Sequence, residues 1–430
     1  MIKRIANLKY LIATFLFVTL FFIQSLTLTW TPGYAFQALI LNVAIMLGVY
    51  AFRGFDNLTT YSLNSCIVSY ISGTVLGVLF ALIPIVFFTP RLPRLTFFVT
   101  AAVSGLIFPF LSCMLMRYTI KHLPPRRYLV IGREEDLGPI LEEVKKASMG
   151  KIEIYSYMNP SAETLTEAIS FEDVKPFDAI LIGDPELARG VQRILNEAIT
   201  KNTSIEYLPT LVESSLHRIP IEIIERFREY YEIVFSEARI SRRIRVADIV
   251  FSSALLVLFS PFILFSVLYI LIRDGRPIFF TQPRHGINAR IFKVFKFRTM
   301  DDPKDGEGKP TTTKSGKLLR MTRLNEIPQL FCVLGGKMSL VGPRPDVQRV
   351  HALCVKEVPF YRFRTRVLPG ITGHAQLTYG YAEGYDRGDL KPFTDRLSYD
   401  LYYVKNMDFR LYLSIMLRTV ETMVFRRGAR

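Results

Sequence analysis

The sequence predicts a membrane protein of the α plus α/β class, with a four-helix transmembrane bundle, an α/β domain and a third domain that carries one more membrane helix. Three observations predict it: four apolar stretches fill the first quarter, strand and helix patterns alternate in the middle, and a fifth apolar run precedes a polar C-terminal part. Half of the 430 residues are hydrophobic, which is high for a soluble protein. We place the domain boundaries at 1–120, 121–235 and 236–430.

The four N-terminal stretches are each close to the ~20 residues that a helix needs to cross a bilayer. They cover residues 10–30, 35–52, 66–89 and 95–116. Cations precede the first stretch and follow the fourth, at Lys3, Arg4, Lys9, Arg117, Lys121, Arg126 and Arg127. The positive-inside rule therefore predicts that both ends of the bundle lie on the cytoplasmic face, although Arg91 and Arg94 in the outer loop count mildly against it. These stretches contain no ionisable residue, which argues against a pump or transporter.

The middle segment alternates between strand and helix patterns, which is typical of a parallel sheet. The predicted strands are Tyr128–Ile131, Lys151–Tyr157, Phe177–Ile182 and Ile205–Leu208. This arrangement resembles a Rossmann domain, and its first strand is followed by the turn VIGREEDLG. The turn lacks the glycines of a pyrophosphate-binding loop, and Glu134 and Glu135 would repel a phosphate. We therefore favour a structural or regulatory cytoplasmic domain over a nucleotide site.

The fifth apolar run, at about 247–272, contains Ser260 and Pro261 at its middle. Proline removes a helix hydrogen bond, so the helix should kink or break there. Cations lie on both sides of the run, at Arg242, Arg243, Arg245, Arg273, Arg276 and Arg284. This charge pattern favours a re-entrant helix that enters and leaves on the cytoplasmic face. A kinked spanning helix is the alternative, and from these residues alone the two stay open.

Four sequence blocks follow in a fixed order: FKVFKFRTM at 292–300, LLRMTRLNEIPQLFCVLGGKMSLVGPRP at 318–345, LPGITGHAQL at 368–377 and LSYDLYYVKN at 397–406. Together they resemble the catalytic domain of the monotopic phosphoglycosyl transferases, the bacterial polyprenyl-phosphate sugar-1-phosphate transferases. The four N-terminal spans and the α/β segment resemble the larger subgroup of that family. The resemblance covers essentially the whole chain, and the stretch from FKFRTM to GPRP is its most specific part.

The resemblance implies a reaction, its partners and a location. A uridine diphosphate (UDP) sugar would donate its sugar-1-phosphate to undecaprenyl phosphate, giving polyprenyl-diphospho-sugar and uridine monophosphate (UMP), the first membrane step of surface polysaccharide assembly. The chain would lie in the bacterial inner membrane with its catalytic domain on the cytoplasmic face, in contact with membrane lipid. A homodimer is plausible. Nucleic acid is not an expected partner, because the cations behind the net charge of +16 flank apolar runs and no recognition motif is present.

The resemblance also implies a catalytic Asp-Glu pair, in which the Asp is the nucleophile and the Glu helps to hold Mg²⁺. In this chain Glu326 is present, but the Asp position holds Asn325. Three interpretations stay open: a substituted or deamidated form of an active enzyme, a variant that uses direct attack by the lipid phosphate, or a catalytically impaired scaffold of the same pathway. Asn325 would also suit a helix cap. Arg320 matches a family arginine near the pair and would bind phosphate.

Local patterns add further candidates around this pair. Apolar residues recur at helical spacing at Leu324, Ile327, Leu330, Phe331 and Leu334. With Pro328 in a first turn, they predict a helix that begins close to Asn325–Ile327 and presents free N–H groups to a diphosphate. Lys296, Arg298 and Thr299 could bracket the diphosphate, or could face solvent or lipid headgroups. Pro343, Arg344 and Pro345 would lie at the nucleotide end of the substrate by the resemblance, with a structural turn as the competing interpretation. The last stretch, Phe409–Val424, is expected to lie amphipathically on the membrane plane.

Overall fold

The computed structural model describes residues 2–27, 32–85, 93–158, 177–200, 203–301, 311–379 and 390–424. The chain forms two compact units. The first contains the chain through His217 and again from Leu417, and the second contains Arg218–Met416. The domain boundaries placed at 120/121 and 235/236 stay predictions.

The first unit begins with apolar helices. They are α1 (Ile2–Thr27), α2 (Pro32–Ala51), the short α3 (Asn57–Tyr61), α4 (Leu63–Ile85), α5 (Arg94–Ala102), a π-helical turn (Val103–Ile107) and α6 (Phe108–His122). Four segments in this part are long and apolar enough to cross a membrane: Leu8–Leu26, Tyr34–Ala51, Leu63–Ile85 and Arg94–His122. These agree with the four stretches expected from the sequence, and indicate a membrane protein.

Small residues and polar pairs pack these helices together. A Cβ atom added to Gly48 of α2 would lie 2.0 Å from the carbonyl oxygen of Gly73 in α4, so the two backbones approach closely. Gln24 and Asn42 exchange two amide hydrogen bonds, of 2.8 and 2.9 Å. These side chains are buried, so each hydrogen bond satisfies a group that lipid could not.

The close approach of α2 and α4 can be tested by Gly48→Leu. We expect a lower melting temperature for the purified protein in detergent, because overpacking costs about 1–3 kcal/mol of stability. The new side chain would collide with the backbone of α4, which cannot move aside as a side chain can. Gly190→Leu is the matched control, because a Cβ at Gly190 would meet nothing within 4 Å. Equal melting temperatures for the two variants would contradict the packing described.

The α/β part of the first unit is a four-stranded parallel sheet with strand order β2-β1-β3-β4. The strands are β1 (Arg126–Ile131), β2 (Ile152–Met158), β3 (Ala179–Ile182) and β4 (Ser204–Tyr207). The helices are α7 (Glu134–Ala147), α8 (Pro185–Gly190), α9 (Gln192–Thr200) and α10 (Leu208–Leu216). The parallel sheet confirms the strand pattern of the sequence, and the closer likeness to a Rossmann domain stays a prediction.

An apolar side chain occupies the place where such sheets bind ligands, beyond the carboxyl ends of the central strands. Cβ atoms added to Gly132 after β1 and to Gly183 after β3 would lie 2.4 and 2.3 Å from the same Leu137 methyl group. Leu137 itself is buried. Its position leaves no room for a phosphate against these two glycines, which supports the structural or regulatory interpretation of this domain.

The second unit contains helices α11 (Ile221–Arg226), α12 (Arg228–Ser236), α13 (Arg242–Arg273), α14 (Gly316–Met321), α15 (Gln329–Leu334), α16 (Gln348–Glu357), α17 (His374–Thr378), α18 (Lys391–Asn406) and the first half of α19 (Phe409–Val424). Its strands are β5 (Phe279–His285), β6 (Ile291–Phe297), β7 (Met300–Asp301), β8 (Thr311–Thr312), β9 (Ser339–Val341) and β10 (Gly370–Thr372). Strands β5 and β6 form an antiparallel hairpin, and β9 pairs with β10 in parallel. Three 3₁₀ turns lie at Ile287–Ala289, Leu324–Glu326 and Tyr361–Arg366.

Helix α13 is the fifth segment long and apolar enough to cross a membrane. It runs through Ser260 and Pro261 without interruption, so the break expected there is not present in the backbone. Pro261 cannot donate to the carbonyl of Val257, four residues earlier, and the Ser260 hydroxyl donates to that carbonyl instead at 2.8 Å. Serine thus supplies the hydrogen bond that proline removes, and the re-entrant course of the helix stays a prediction.

The N-terminal end of α13 is fastened to the second unit by two charged side chains. Arg245 donates to the carbonyls of Val333 and Leu334, at 2.5 and 2.6 Å, and so caps the end of α15. Asp248 Oδ1 is buried and accepts three hydrogen bonds, which come from Ser339 Oγ at 2.9 Å, Leu340 N at 2.8 Å and Tyr412 Oη at 2.8 Å. The first turns of the helix therefore hold α15, β9 and α19.

The C-terminal end of α13 is fastened in the same way. Arg298, directly after β6, donates to the carbonyls of Asp274 at 2.6 Å and Arg276 at 2.9 Å. The Asp274 carboxylate in turn accepts from the backbone N–H of Ser315 at 3.1 Å, just before α14. The last turn of the helix is thereby joined to both β6 and α14.

The carboxylate of Asp248 can be tested by Asp248→Ala. The substitution leaves three buried donors without an acceptor, each at a cost of about 1–3 kcal/mol, so we expect a large loss of stability. Tyr412→Phe removes only one donor and should lower the melting temperature much less. A thermal melt that ranks the two variants equally would contradict this role.

The second half of α19 belongs to the first unit and is held by two ion pairs. Arg418 contacts both carboxylate oxygens of Asp56, at 2.7 and 2.8 Å. The buried Glu421 lies 2.9 Å from Arg53 Nε. These contacts fasten the helix to the segment between α2 and α3, and the expectation that α19 lies on the membrane plane stays a prediction.

Candidate functional site

Glu326 ends a 3₁₀ turn that the sequence pattern had predicted as the start of a helix. The turn follows Arg323, which has a left-handed backbone (φ 59°), and helix α15 begins only at Gln329 after Pro328. The N–H groups of Glu326 and Ile327 donate within the turn, to Arg323 O at 3.1 Å and Leu324 O at 3.2 Å. The chain is therefore helical from Leu324, close to the predicted start, but as a 3₁₀ turn, and the N–H groups of Glu326 and Ile327 are used within it.

Cationic side chains surround Glu326 instead. Lys296 Nζ lies 3.2 Å from Glu326 Oε1, and Arg323 Nη1 lies 4.0 Å from Oε2. Burial raises the pKa of the Glu326 carboxyl, but the charges of Lys296, Arg344 and Arg323 outweigh burial and hold that pKa below its ordinary value. The carboxylate is therefore ionised at neutral pH.

The cations in this cluster repel one another. Burial lowers the pKa of the Lys296 ammonium, and the charge of Arg344 lowers it further although Glu326 opposes the shift. Burial and the charge of Arg344 lower the pKa of Arg284 to about 10. We refer to Arg284, Lys296, Arg323 and Arg344 as the cation cluster. Four cations face one carboxylate, so the site carries net positive charge and suits an anion with several charges.

The hairpin explains why two of these cations converge. In the antiparallel register Lys296 pairs with Phe280, and Arg284 pairs with Phe292, so both cations lie on the same face of the β5–β6 hairpin. Lys293, one position off this alternation, is exposed on the opposite face. Sequence reasoning missed Arg284 and Arg323. The hairpin register could have found Arg284, whereas nothing in the local pattern signals the left-handed turn that brings Arg323 to Glu326.

The Pro343-Arg344-Pro345 segment brings Arg344 into the cluster and is held through its carbonyl groups. Proline has no N–H, so this segment cannot pair as an ordinary strand. Its three carbonyls accept hydrogen bonds from four residues elsewhere in the unit. Pro343 O accepts from Gly370 N (3.0 Å), Arg344 O from Arg364 (2.9 Å) and Arg396 (3.3 Å), and Pro345 O from Arg284 (3.1 Å). The carbonyl of the next residue, Asp346, accepts from His285 N at 3.1 Å. The segment is therefore both the structural turn and the support of a site cation.

Asn325 lies beside Glu326 and is half-buried. It caps neither neighbouring element, because the capping positions are Arg323 and Pro328 and neither element has a side-chain cap. The interpretation of Asn325 as a helix cap is therefore wrong. Within the described ranges the structure records no hydrogen bond from its carboxamide.

Three predicted site residues have other positions. Arg320 is exposed on α14, and Arg323 rather than Arg320 acts on Glu326. The guanidinium of Arg298 is occupied by the carbonyls at the end of α13, as described above. Thr299 is buried, and its carbonyl accepts from Thr313 N at 3.1 Å and packs against Gly316. Arg298 and Thr299 thus support the fold, and their contact with the substrate stays a prediction.

The resemblance implies Mg²⁺, and the residues present fit a metal that arrives with its ligand. Mg²⁺ is commonly held by one or two carboxylates together with substrate phosphates. The ionised Glu326 can supply one carboxylate oxygen. Groups of three or more His, Cys, Asp or Glu that could hold a metal alone do not occur in the described part of the chain.

Comparison with known proteins identifies the class. Residues 240–426 match the family model described as bacterial sugar transferase. A UDP-N-acetylgalactosamine-undecaprenyl-phosphate N-acetylgalactosaminephosphotransferase from Aeromonas hydrophila is 31% identical over 263 residues, which are 59% of this chain and 60% of that protein. A UDP-glucose:undecaprenyl-phosphate glucose-1-phosphate transferase from Caulobacter vibrioides is 34% identical over 189 residues, 42% of this chain and 70% of that protein.

A third relative is covered almost completely. The exopolysaccharide production protein PSS of Rhizobium leguminosarum bv. phaseoli is 37% identical over 193 residues, 42% of this chain and 95% of that protein. The chain belongs to the bacterial sugar transferase family, which confirms the resemblance found in the sequence blocks. It spans 60% of the length of the Aeromonas relative.

The influence of Lys296 on Glu326 can be measured through Lys296→Met. The Lys296 charge lowers the pKa of the Glu326 carboxyl, so its removal should raise that pKa. A reaction that needs the ionised carboxylate should then lose its activity on the acidic side at a higher pH than in the unaltered chain. Lys293→Met, on the outer face of the same strand, is the control and should leave the acidic limb in place. An acidic limb that Lys296→Met does not move would show that Glu326 ionisation does not limit the reaction.

Proposed function

We propose that this chain transfers sugar-1-phosphate from a UDP-sugar to undecaprenyl phosphate, giving polyprenyl-diphospho-sugar and UMP, as the first membrane step of surface polysaccharide assembly. The observation that carries the proposal is the cation cluster around the ionised Glu326, in a unit that also contains the membrane helix α13. The cluster suits a diphosphate, and the helix gives access to a lipid phosphate. The names of the Aeromonas and Caulobacter relatives support the same reaction.

Each residue of the cluster has a part in this reaction. Arg344, Lys296, Arg284 and Arg323 bind the donor diphosphate by charge-assisted hydrogen bonds. Glu326 is the residue that would hold Mg²⁺, and a bound ion would supply neutralisation of the phosphate charge. The four cations disfavour a dication alone, so Glu326 would bind the ion only when the donor diphosphate is also present.

Asn325 favours direct transfer in the chain as it stands. A neutral amide is a poor nucleophile at phosphorus, whereas an oxygen of undecaprenyl phosphate can attack the β-phosphorus of the donor. The new phosphorus–oxygen bond forms as the bond to the UMP oxygen breaks, so UMP leaves with the electron pair. Asn325 donates a hydrogen bond to a phosphate oxygen in this scheme. The scaffold interpretation rests on Asn325 alone, and the comparisons give it no support.

The proposed location is the bacterial inner membrane, with the site on the cytoplasmic face. Contacts within the first unit support the orientation predicted for the helix bundle. Arg53 and Asp56, between α2 and α3, pair with the second half of α19, and Arg117 at the end of α6 donates to Tyr61 O at 3.1 Å. These chain segments therefore lie on one side of the bundle, the side that the positive-inside rule assigns to the cytoplasm. A homodimer stays a prediction.

The proposal is tested by UMP release in the presence of undecaprenyl phosphate and Mg²⁺, with UDP-glucose, UDP-galactose and UDP-N-acetylgalactosamine as donors. We expect the unaltered chain to release UMP with at least one donor, and Glu326→Gln to lose most of that activity. Glu225→Gln, an exposed glutamate on α11, is the matched control and should remain active. Failure of all donors with the unaltered chain and with Asn325→Asp would contradict the transferase.

Asn325→Asp distinguishes the two chemical routes. With donor labelled in the sugar and no lipid acceptor, a covalent route leaves label on the protein. We expect label on Asn325→Asp and none on the unaltered chain. Label on the unaltered chain at position 325 would contradict direct transfer and would indicate deamidation, which mass spectrometry of the peptide would show as a gain of about one dalton.

A further inference from the structure

Two buried guanidinium groups converge on the carbonyl oxygen of Arg344. Arg364 Nη2 lies 2.9 Å from this oxygen, and Arg396 Nη2 lies 3.3 Å from it. The side chains of Arg364 and Arg396 are only 3% and 8% exposed. Burying two cations beside one neutral carbonyl would be strongly unfavourable unless anionic groups lie close to them.

Two buried carboxylates balance these cations. Asp400 Oδ2 lies 2.8 Å from Arg364 Nη2, and Asp346 Oδ2 contacts Arg364 Nη1. Arg396 lies 3.9 Å from each of the two carboxylates. Tyr361 Oη donates to Asp346 Oδ2 at 2.8 Å. The group contains two cations and two anions, so it is neutral overall and can hold the Arg344 carbonyl without adding charge to the cation cluster.

The two arginines are not equivalent within this group. Arg364 donates from Nε, Nη1 and Nη2, and it also lies over the Tyr361 ring at 5.0 Å. Arg396 is held less closely, and its buried Nε has no hydrogen-bond partner in the part of the chain that the structure describes. Arg364 is therefore needed for the fold, whereas Arg396 makes its shortest described hydrogen bond to the Arg344 carbonyl.

We propose that Arg396 is a positioning residue of the sugar-phosphate transfer, an inference that rests on the proposed function. The direction of the Arg344 carbonyl fixes the backbone of the residue whose guanidinium enters the cation cluster. Arg396 and Arg364 together hold that carbonyl from two sides, while Pro343 and Pro345 restrict the flanking backbone. Arg396 acts on the donor diphosphate through Arg344, without contact with the substrate.

This role predicts a specific effect of Arg396→Lys. Lysine keeps the charge but lacks the planar fork, so the two carboxylates keep a cation while the hydrogen bond to the carbonyl is lost. A displacement of about 1 Å at a group that orients substrate can cost up to ~10²-fold in rate. We expect a roughly tenfold lower kcat/KM for the UDP-sugar. The KM for undecaprenyl phosphate and the melting temperature should stay unchanged.

A double-mutant cycle with Arg344→Ala separates positioning from a general structural role. If Arg396 acts through Arg344, Arg396→Lys should have no further effect on kcat/KM once Arg344 is alanine. Arg228→Lys, an exposed arginine of α12 paired with Glu232, is the matched control and should leave both parameters unchanged. The same loss in both backgrounds, or a loss that follows a fall in melting temperature, would overturn the proposal.

The failure of the two proposals can be told apart. If the unaltered chain releases UMP and the cycle shows no coupling, the positioning role is wrong and the transferase stands. If no donor is turned over, the proposed function fails, and the same four proteins are compared for binding of UDP with Mg²⁺ by titration calorimetry. If the effects of the substitutions at positions 344 and 396 on UDP affinity are not additive, Arg396 positions Arg344. Additive effects would overturn the positioning role.

Discussion

The second unit holds helix α13 at both ends, and the elements that receive these contacts are the ones that carry the site. Arg245 and Asp248 fasten the N-terminal turns to α15 and β9, and the carbonyls at the other end are held by Arg298. Arg298 follows Lys296 by two residues in the chain, so one strand end both anchors the membrane helix and supplies a cation to Glu326. Helix α13 is therefore fixed to the site-bearing elements by hydrogen bonds to part-buried carbonyl groups and by the buried Asp248 carboxylate, which is costly to leave unpaired.

The charges of the site are arranged for a ligand rather than for stability. Burial, together with the charge of Arg344, lowers the pKa values of Arg284 and Lys296, and one carboxylate does not neutralise the three cations. A diphosphate would relieve this repulsion on binding. Favourable contacts outside the cluster stabilise the fold against this repulsion. They include the buried ion pair of Arg364 and Asp400 and the hydrogen bond from Ser339 to Asp248. The charges of the neighbouring cations also keep Glu326 ionised despite its burial.

Sequence blocks pointed to Lys296, Glu326 and Arg344, which the structure brings together, because a run of specific residues is visible without any knowledge of the fold. The blocks could not show that Lys296 contacts Glu326 whereas Arg298 caps the end of helix α13. Alternation along a strand shows which residues share a face, but not which cation reaches a distant helix end. The 3₁₀ form of the turn at Leu324–Glu326 could not be predicted, because hydrophobic spacing carries no information on the left-handed backbone of Arg323. Arg364, Arg396 and Asp400 lie far apart in sequence from Arg344, and only the fold brings them together.

The break expected at Pro261 is a second case in which local sequence did not predict a contact that the structure contains. Proline was read correctly as the loss of one hydrogen bond, but the neighbouring Ser260 supplies a replacement to the carbonyl of Val257. In the α/β domain, the missing glycines indicated a turn without a nucleotide, and the structure adds the physical reason, which is the Leu137 side chain over Gly132 and Gly183.

The central claim is that the donor diphosphate binds in the cation cluster beside Glu326. An experimental structure of the full chain with UDP and Mg²⁺ tests it most directly. We expect the β-phosphate to lie within hydrogen-bonding distance of Arg344 and Lys296, on the side of the cluster that faces Glu326. UDP bound elsewhere, for example at the Gly132 turn of the α/β domain with Leu137 displaced, would contradict the account.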